Sequence, residues 1–330
     1  MHCPRAARDP STAAETLKSD GRRPSPQEAA SFGWTGRGGL PRDPLAVRRR
    51  RAGIVFTLPV VTLVGILLLY PIAQTVYHSF TVWDGITSHW VGTATYSQLF
   101  AKPEFVQVLE NNALLVLSIP VAIALPLGVA FLIQSKLRGW RFFRSVFFLP
   151  TAVSWVVIAY VAIRFFADDG ILQHLLNGVG LGFWHPNMLS NERSALIAVM
   201  ITFVWSMFGT NLIIFLAGMA TVDQELYDAA RVDGAGSFTV LTKITIPLLR
   251  RFIQFAFIVT LIAAFTALFS LIFVMTSGGP GYGTTTLEFF IYEQAFQTGD
   301  FGLASTAGVI LFLAVAAVGL MQLRFFKGED

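Results

Sequence analysis

The sequence predicts an all-α integral membrane protein with six transmembrane helices, and three observations carry that prediction. The chain is 54% hydrophobic and only 13% charged, where a soluble domain carries about 25% charge. Six apolar runs approach the roughly 20 residues that cross about 30 Å of hydrocarbon, and none shows the period-2 alternation of a barrel strand. Lysine and arginine crowd one side of these runs, which is the bias that orients membrane helices.

Residues 1–50 come first. They are rich in Pro, Ser, Gly and Arg, lack periodicity, and read as a disordered cytoplasmic tail ahead of a transmembrane domain over 51–330. The sole cysteine, Cys3, sits in that tail, so neither a disulfide framework nor a cysteine metal cluster is expected. A signal peptide is disfavoured because the first apolar run starts near residue 54 and is too long for an h-region.

The runs are Ile54–Val76, Val108–Ile133, Val146–Phe166, Ala195–Met219, Phe252–Met275 and Leu303–Leu323. Pro59 and Pro71 fall in the first, Pro120 and Pro126 in the second. Prolines are tolerated there when neighbouring helices or water satisfy the freed carbonyls. Arg48 to Arg51, then Lys136, Arg138, Arg141 and Arg144, then Arg231, Lys243, Arg250 and Arg251, and finally Arg324 and Lys327 all fall on one side. The opposite side holds only Lys102, Arg164 and Arg193 among basic residues. Both termini are therefore expected in the cytoplasm. Arg164 reads as a snorkelling side chain, and Trp83, Trp90 and Trp184 read as interfacial anchors.

The loop between the fourth and fifth runs, Ala220 to Arg251, carries the strongest signal. Thr221 or Asp223 can cap a short helix that includes Glu225, Tyr227, Asp228, Ala229 and Ala230. Asp233-Gly234 reads as a turn, with Gly234 free to take positive φ. A second helix is expected from about Ser237 to Ile244, stopping before Pro247. Small residues such as Ala235 would let another surface approach the backbone. Two short helices joined at a glycine make a knob.

The order Tyr227-Asp228-Ala229-Ala230, then Asp233-Gly234-Ala235, then Ile244 and Pro247, resembles the coupling loop of carbohydrate-type ATP-binding-cassette (ABC) importer permeases. Gly139-Trp140-Arg141 through Arg144 to Phe148-Leu149-Pro150 is similar to the family's entry into its third span. Val274 to Pro280, continuing through Thr284-Thr285-Thr286 to Tyr292 and Phe296, resembles its last outer loop, and Phe301-Gly302 opens the last span as there. The similarity points to the larger membrane subunit of maltose-type transporters, in a shorter six-span version. It implies a type I importer fold, coupling helices that sit in a cleft of an ATPase subunit, and a binding protein meeting the outer face at Gly278, Gly279 and Pro280. Asp228 stands where the family usually has glutamate, so its bridge to the ATPase is expected to be re-spaced or taken over by Glu225.

For a substrate path, polar and aromatic groups inside the spans are the candidates, since they are costly in lipid. The fourth run offers Trp205, Ser206, Gly209, Thr210 and Asn211, the third Thr151, Ser154 and Trp155, the fifth Thr266. Aromatic faces suit sugar rings, and hydroxyls and amides suit sugar hydroxyls. Ser154 and Thr266 read first as helix-packing groups; Trp205, Thr210 and Asn211 read equally as path or packing. The stretch around Asn211 matches the family's sugar-lining stretch.

No Gly-x-x-x-x-Gly-Lys-Ser/Thr phosphate loop occurs, so no enzyme activity and no cofactor is expected in this chain; ATP and magnesium would belong to the partner ATPase. Expected partners are a second, similar permease, two ATPase subunits, an extracytoplasmic sugar-binding protein and membrane lipid, with no nucleic acid. A bacterial cell membrane is the expected location. Glycerol 3-phosphate or a related polyol phosphate is an alternative cargo, disfavoured because no span buries a basic residue. A membrane sensor or enzyme would want clustered intramembrane acids or histidines, and no metal-ligand spacing occurs at His78, His89, His174 or His185. Asp168 and Asp169 read as solvated loop or as binding-protein surface.

Overall fold

The computed structural model describes residues 56–134, 147–180 and 187–326. Cys3, the arginine cluster at 48–51, the basic stretch between the second and third runs with Gly139 and Trp140, Trp184, His185 and Lys327 lie outside the described residues. The chain divides into two units, residues 1–68 and 69–330.

The elements follow the apolar runs. Helix α1 covers Phe56–His78, with a π stretch at Gly65–Leu69. A hairpin of β1 (Thr81–Trp83) and β2 (Ser88–Trp90) follows, antiparallel, with Val82 opposite His89. Then come α2 (Ala94–Ala101), α3 (Pro103–Gln134), α4 (Trp155–Phe166), α5 (Ile171–Gly178) and α6 (Glu192–Met219). The loop carries α7 (Gln224–Val232) and α8 (Ser237–Leu248). The chain ends with α9 (Arg250–Thr266), α10 (Leu268–Met275), α11 (Leu287–Tyr292) and α12 (Phe301–Phe326).

Each apolar run contains a helix, but not every run is a single continuous one. Among the described residues, only α1, α3, α6 and α12 are single helices long and apolar enough to cross a membrane. The third run is interrupted by a 3₁₀ turn at Leu149–Ala152, which holds Pro150. The chain then turns extended at Val153 and Ser154, whose hydroxyl accepts the N–H of Val157 at 3.4 Å, leaving α4 only 12 residues. The fifth run breaks at Ala267 (φ −112°, ψ −12°).

The stop before Pro247 is a second correction. Helix α8 runs through that proline to Leu248, then bends by 75° into α9. A π stretch at Leu241–Thr245 immediately precedes it. The wider turn accommodates a ring that would otherwise clash with the carbonyl four residues back.

The core lies where α3, α4, α6, α9 and α10 meet, around Ile119, Phe203, Phe215, Leu249, Leu268 and Leu271, all within 0% exposure. Mean burial of so many fully apolar positions on helices without strong amphipathic stripes is the pattern of a bundle whose outer faces are also apolar. At the end remote from the α7–α8 loop, the hairpin is held against α12. A Cβ at Gly302 would meet the Thr81 carbonyl and lie 3.0 Å from the Trp83 nitrogen. Thr306 Oγ1 donates to the Ser79 carbonyl at 3.1 Å. Asp84 closes the hairpin turn by accepting the N–H groups of Ile86 (2.9 Å) and Thr87 (2.6 Å), which holds its carboxyl down at about 2. Nothing in the residue pattern marks this hairpin; its strands are three residues long, too short for periodicity to register.

Candidate functional site

The α7–α8 knob owes its shape to Gly234. That residue has φ +75°. Its N–H donates to the Arg231 carbonyl at 3.1 Å, and the N–H of Ala235 donates to the Ala230 carbonyl at 2.9 Å. This is a Schellman cap: the left-handed residue reverses the chain while satisfying carbonyls that the helix end leaves open. Space around Gly234 is open, so the backbone conformation alone demands glycine. Asp223 stands at the N-cap position of α7 but makes no side-chain cap bond, and Thr221 turns back to the Gly218 carbonyl instead.

Tyr227, Ala230 and Val240 form a small buried cluster between the two helices, with Phe131 from the end of α3, Ala235 and Ile244 packed against it. The knob is thereby seated on α3. Asp228 pairs with Arg231 on its own helix at 3.1 Å, both side chains more than half exposed, a pair worth little by itself. Glu225, Ala229 and Asp233 are exposed, and so is Pro247. Leu226 (47%), Val232 (88%) and Phe238 (78%) stand out as exposed apolar side chains among them. An apolar group in a charged rim is the usual form of a docking surface. Val232 and Phe238 went unremarked in the sequence because exposure of a side chain is not visible in its spacing.

The predicted substrate-path residues separate into two groups. Asn211 is fully buried; its Nδ2 donates to the Ala122 carbonyl at 2.8 Å and to Thr260 Oγ1 at 3.0 Å. Ser206 is buried and donates to the Phe203 carbonyl at 2.7 Å. Gly209 is where the start of the third run crosses α6: a Cβ there would collide with Thr151 Oγ1 and sit 2.8 Å from the Phe147 carbonyl. In this conformation these three belong to helix packing. Thr151, Ser154, Trp205 and Thr266 are exposed, and Trp155 and Thr210 are half-buried. Trp205 borders two hollows of about 360 and 560 Å³, lined chiefly by apolar groups such as Val121, Phe165, Ile201 and Phe208. Trp155 stacks near Phe203, ring centres 6.3 Å apart.

At the remote end, Gly278, Gly279 and Pro280 belong to a loop fastened to the bundle. Asn111 of α3 donates to the carbonyls of Tyr282 (2.8 Å) and Thr285 (3.0 Å). Thr284 and Thr285 hydroxyls donate to the carbonyls of Gly279 and Gly278, both at 3.0 Å. Gly278 itself is buried, while Gly279 and Pro280 are half-buried. Asn111 was not foreseen; an asparagine inside an otherwise apolar helix was the available signal. Nearby, Glu288 has both carboxylate oxygens buried without a hydrogen-bond partner, and burial raises its carboxyl to about 7 against a smaller opposing pull from the Phe269 backbone. Burial also raises Glu293, whose carboxylate accepts from the Tyr282 hydroxyl at 3.3 Å. Arg164, Asp168 and Asp169 are exposed, and Asp168 accepts from Asn187 at 3.0 Å. Among the described residues no three His, Cys, Asp or Glu side chains converge as a metal site.

Comparison with known proteins places the chain in a family. Residues 107–327 match the family model of binding-protein-dependent transport system inner membrane components. The chain belongs to that family. A probable ABC transporter permease protein of Pyrococcus horikoshii is 34% identical over 282 residues, covering 84% of this chain and 96% of that one. The multiple sugar-binding transport system permease protein of Streptococcus mutans is 30% identical, covering 83% and 95%. Among solved structures, a chain of a bacterial alginate ABC transporter, in complex with an alginate pentasaccharide-bound periplasmic protein, superposes with a TM-score of 0.72 at 20% identity, covering 86% and 96%. That likeness establishes the importer-permease fold. This permease is a transport component, and its chemistry is conformational rather than covalent.

Proposed function

We propose that this permease is one of two membrane subunits of a bacterial ABC importer for a neutral sugar delivered by an extracytoplasmic binding protein. A second, nonidentical permease completes the pathway, and two ATPase subunits on the cytoplasmic side carry ATP and magnesium. The observation that carries this reading is the Gly234-capped knob, which joins α6 to α9 and exposes Leu226, Val232 and Phe238. Nucleotide binding closes the ATPases and draws the paired knobs together. The bundle then opens outward to accept sugar, and hydrolysis resets it. Both termini face the cytoplasm, and the binding protein meets the outer end near Pro280.

Three features support a neutral sugar over a phosphorylated cargo. The Streptococcus mutans relative serves a multiple sugar-binding system. No lysine or arginine is among the buried described residues. Trp155 and Trp205 offer partly open aromatic faces, which suit the apolar side of a sugar ring.

The test is ATP hydrolysis by the reconstituted complex in nanodiscs, with the binding protein and a panel of sugars. One sugar with its binding protein should stimulate hydrolysis, and Gly234→Asp should abolish the stimulation. If no ATPase subunit co-purifies with the wild-type chain, the proposal fails.

A further inference from the structure

Three helices meet the knob, and each holds it differently. Helix α6 leads into it, α9 leads out of it, and α3 ends under it at Phe131. Gly218 in the last turn of α6 lets the start of α9 come close: a Cβ there would lie 2.7 Å from the Phe252 ring and 2.8 Å from Leu249 Cδ2. Seven residues earlier, about 10 Å along the axis, Asn211 makes the second link. Its Nδ2 reaches Thr260 on α9 at 3.0 Å, and Thr260 Oγ1 lies 3.2 Å from Asn211 Oδ1. The same Nδ2 reaches Ala122 on α3 at 2.8 Å. The Ala122 carbonyl is the one that Pro126, four residues on, cannot serve, because proline has no N–H. One side chain thus ties three helices at a point where α3 offers an open carbonyl beside α6. Past Thr260, the tied body ends at the Ala267 break, beyond which α10 packs on α4.

We infer that Asn211 is a positioning residue for transport, binding α3, α6 and α9 into one lever so that displacement of the knob reaches the middle of the bundle undiminished. This rests on the importer reading above. With the ties in place, the knob cannot move without carrying all three helices. Without them, α6 and α9 are joined by the knob and by apolar packing alone, and nucleotide-driven motion is absorbed by sliding of α9 along α6.

The test uses the complete importer in proteoliposomes, measuring sugar taken up per ATP hydrolysed. Asn211→Ala and Thr260→Val should each lower that ratio about tenfold, a common size for coupling between sites, while ATPase subunits still co-purify. The double variant should fall no further than the worse single, because both remove one link. Thr260→Ser keeps the hydroxyl and should keep the ratio. Unchanged uptake per ATP in Thr260→Val overturns the inference. If Asn211→Ala alone does not assemble, Pro126→Ala in the same chain returns an N–H to Ala122; the ratio should stay low in that variant, and full recovery overturns the inference. Failure of the wild-type chain to bind any ATPase sinks the importer reading instead.

Discussion

Asn211 donates its side-chain amide to the Ala122 carbonyl at 2.8 Å, filling the hydrogen bond that Pro126 withholds from its own helix. A proline in the middle of a long apolar helix is thereby made compatible with burial, because a neighbouring helix supplies the missing donor. The same amide reaches Thr260, so the repair of one helix is also the joint between three.

Replacing Asn211 by leucine should leave the Ala122 carbonyl and the Thr260 hydroxyl buried without partners. Each such group costs about 1–3 kcal/mol. Thermal unfolding of the detergent-solubilised permease should shift down by several degrees, and Pro126→Ala should recover part of that loss. A Pro126→Ala chain that is no more tolerant of Asn211→Leu than the wild type contradicts the assignment of the carbonyl.

Gly234 should tolerate asparagine better than valine. Its φ of +75° costs a non-glycine residue about 1–2 kcal/mol, least for Asn, whose short side chain visits the left-handed region. Nothing crowds the position, so size is irrelevant. Co-purification of ATPase subunits should rank glycine, asparagine, valine in falling order; equal recovery of all three would show that the cap does not shape the docking surface.

At Gly209 the expectation reverses, since space rather than φ is limiting. Gly209→Ala should drive the Phe147–Thr151 segment off α6, because the added methyl would fall on Thr151 Oγ1 and 2.8 Å from the Phe147 carbonyl. Stability should drop by about 1–3 kcal/mol, the usual cost of overpacking. Thr151→Ala should relieve part of it, as seen in unfolding midpoints of the single and double variants.

Glu288 predicts a pH dependence of definite sign. Its carboxyl is raised from 4.5 to about 7 by burial, so the folded state holds the proton more tightly than the unfolded state. The stability it confers is complete below about 4.5 and falls as pH rises through about 7. The full difference corresponds to about 3 kcal/mol. Glu288→Gln should flatten the unfolding midpoint between pH 5 and 8, with the largest gain at the alkaline end. A parallel slope in both chains would show that the carboxyl is hydrated in solution.

The apolar runs and the knob are legible in the sequence, and for one reason: each depends on residues close together in it. Gly234, Ala235 and Ala230 lie within a single turn and cap, so their spacing alone predicts the reversal. The broken third run was partly legible in Pro150. The break at Ala267 was not, since no proline or glycine marks it. Asn211 illustrates the other limit. Its type and its place in an apolar run singled it out, yet the same signal fits a sugar ligand and a packing joint. Its hydrogen bond to Ala122, 89 residues away, is what makes it a packing joint in this conformation.

By itself the sequence determined that this chain is a bundle of membrane helices with a glycine-turned knob, because hydrophobic length and local backbone freedom are written residue by residue. Tertiary structure alone decided which polar groups face one another. Pairings such as Asn211 with Ala122 and Thr260, Asn111 with Tyr282 and Thr285, or the unpartnered burial of Glu288 depend on how helices distant in the chain are placed side by side. In an apolar interior the energy of a polar group is set by its nearest partner, and that partner's position is fixed by packing rather than by sequence spacing.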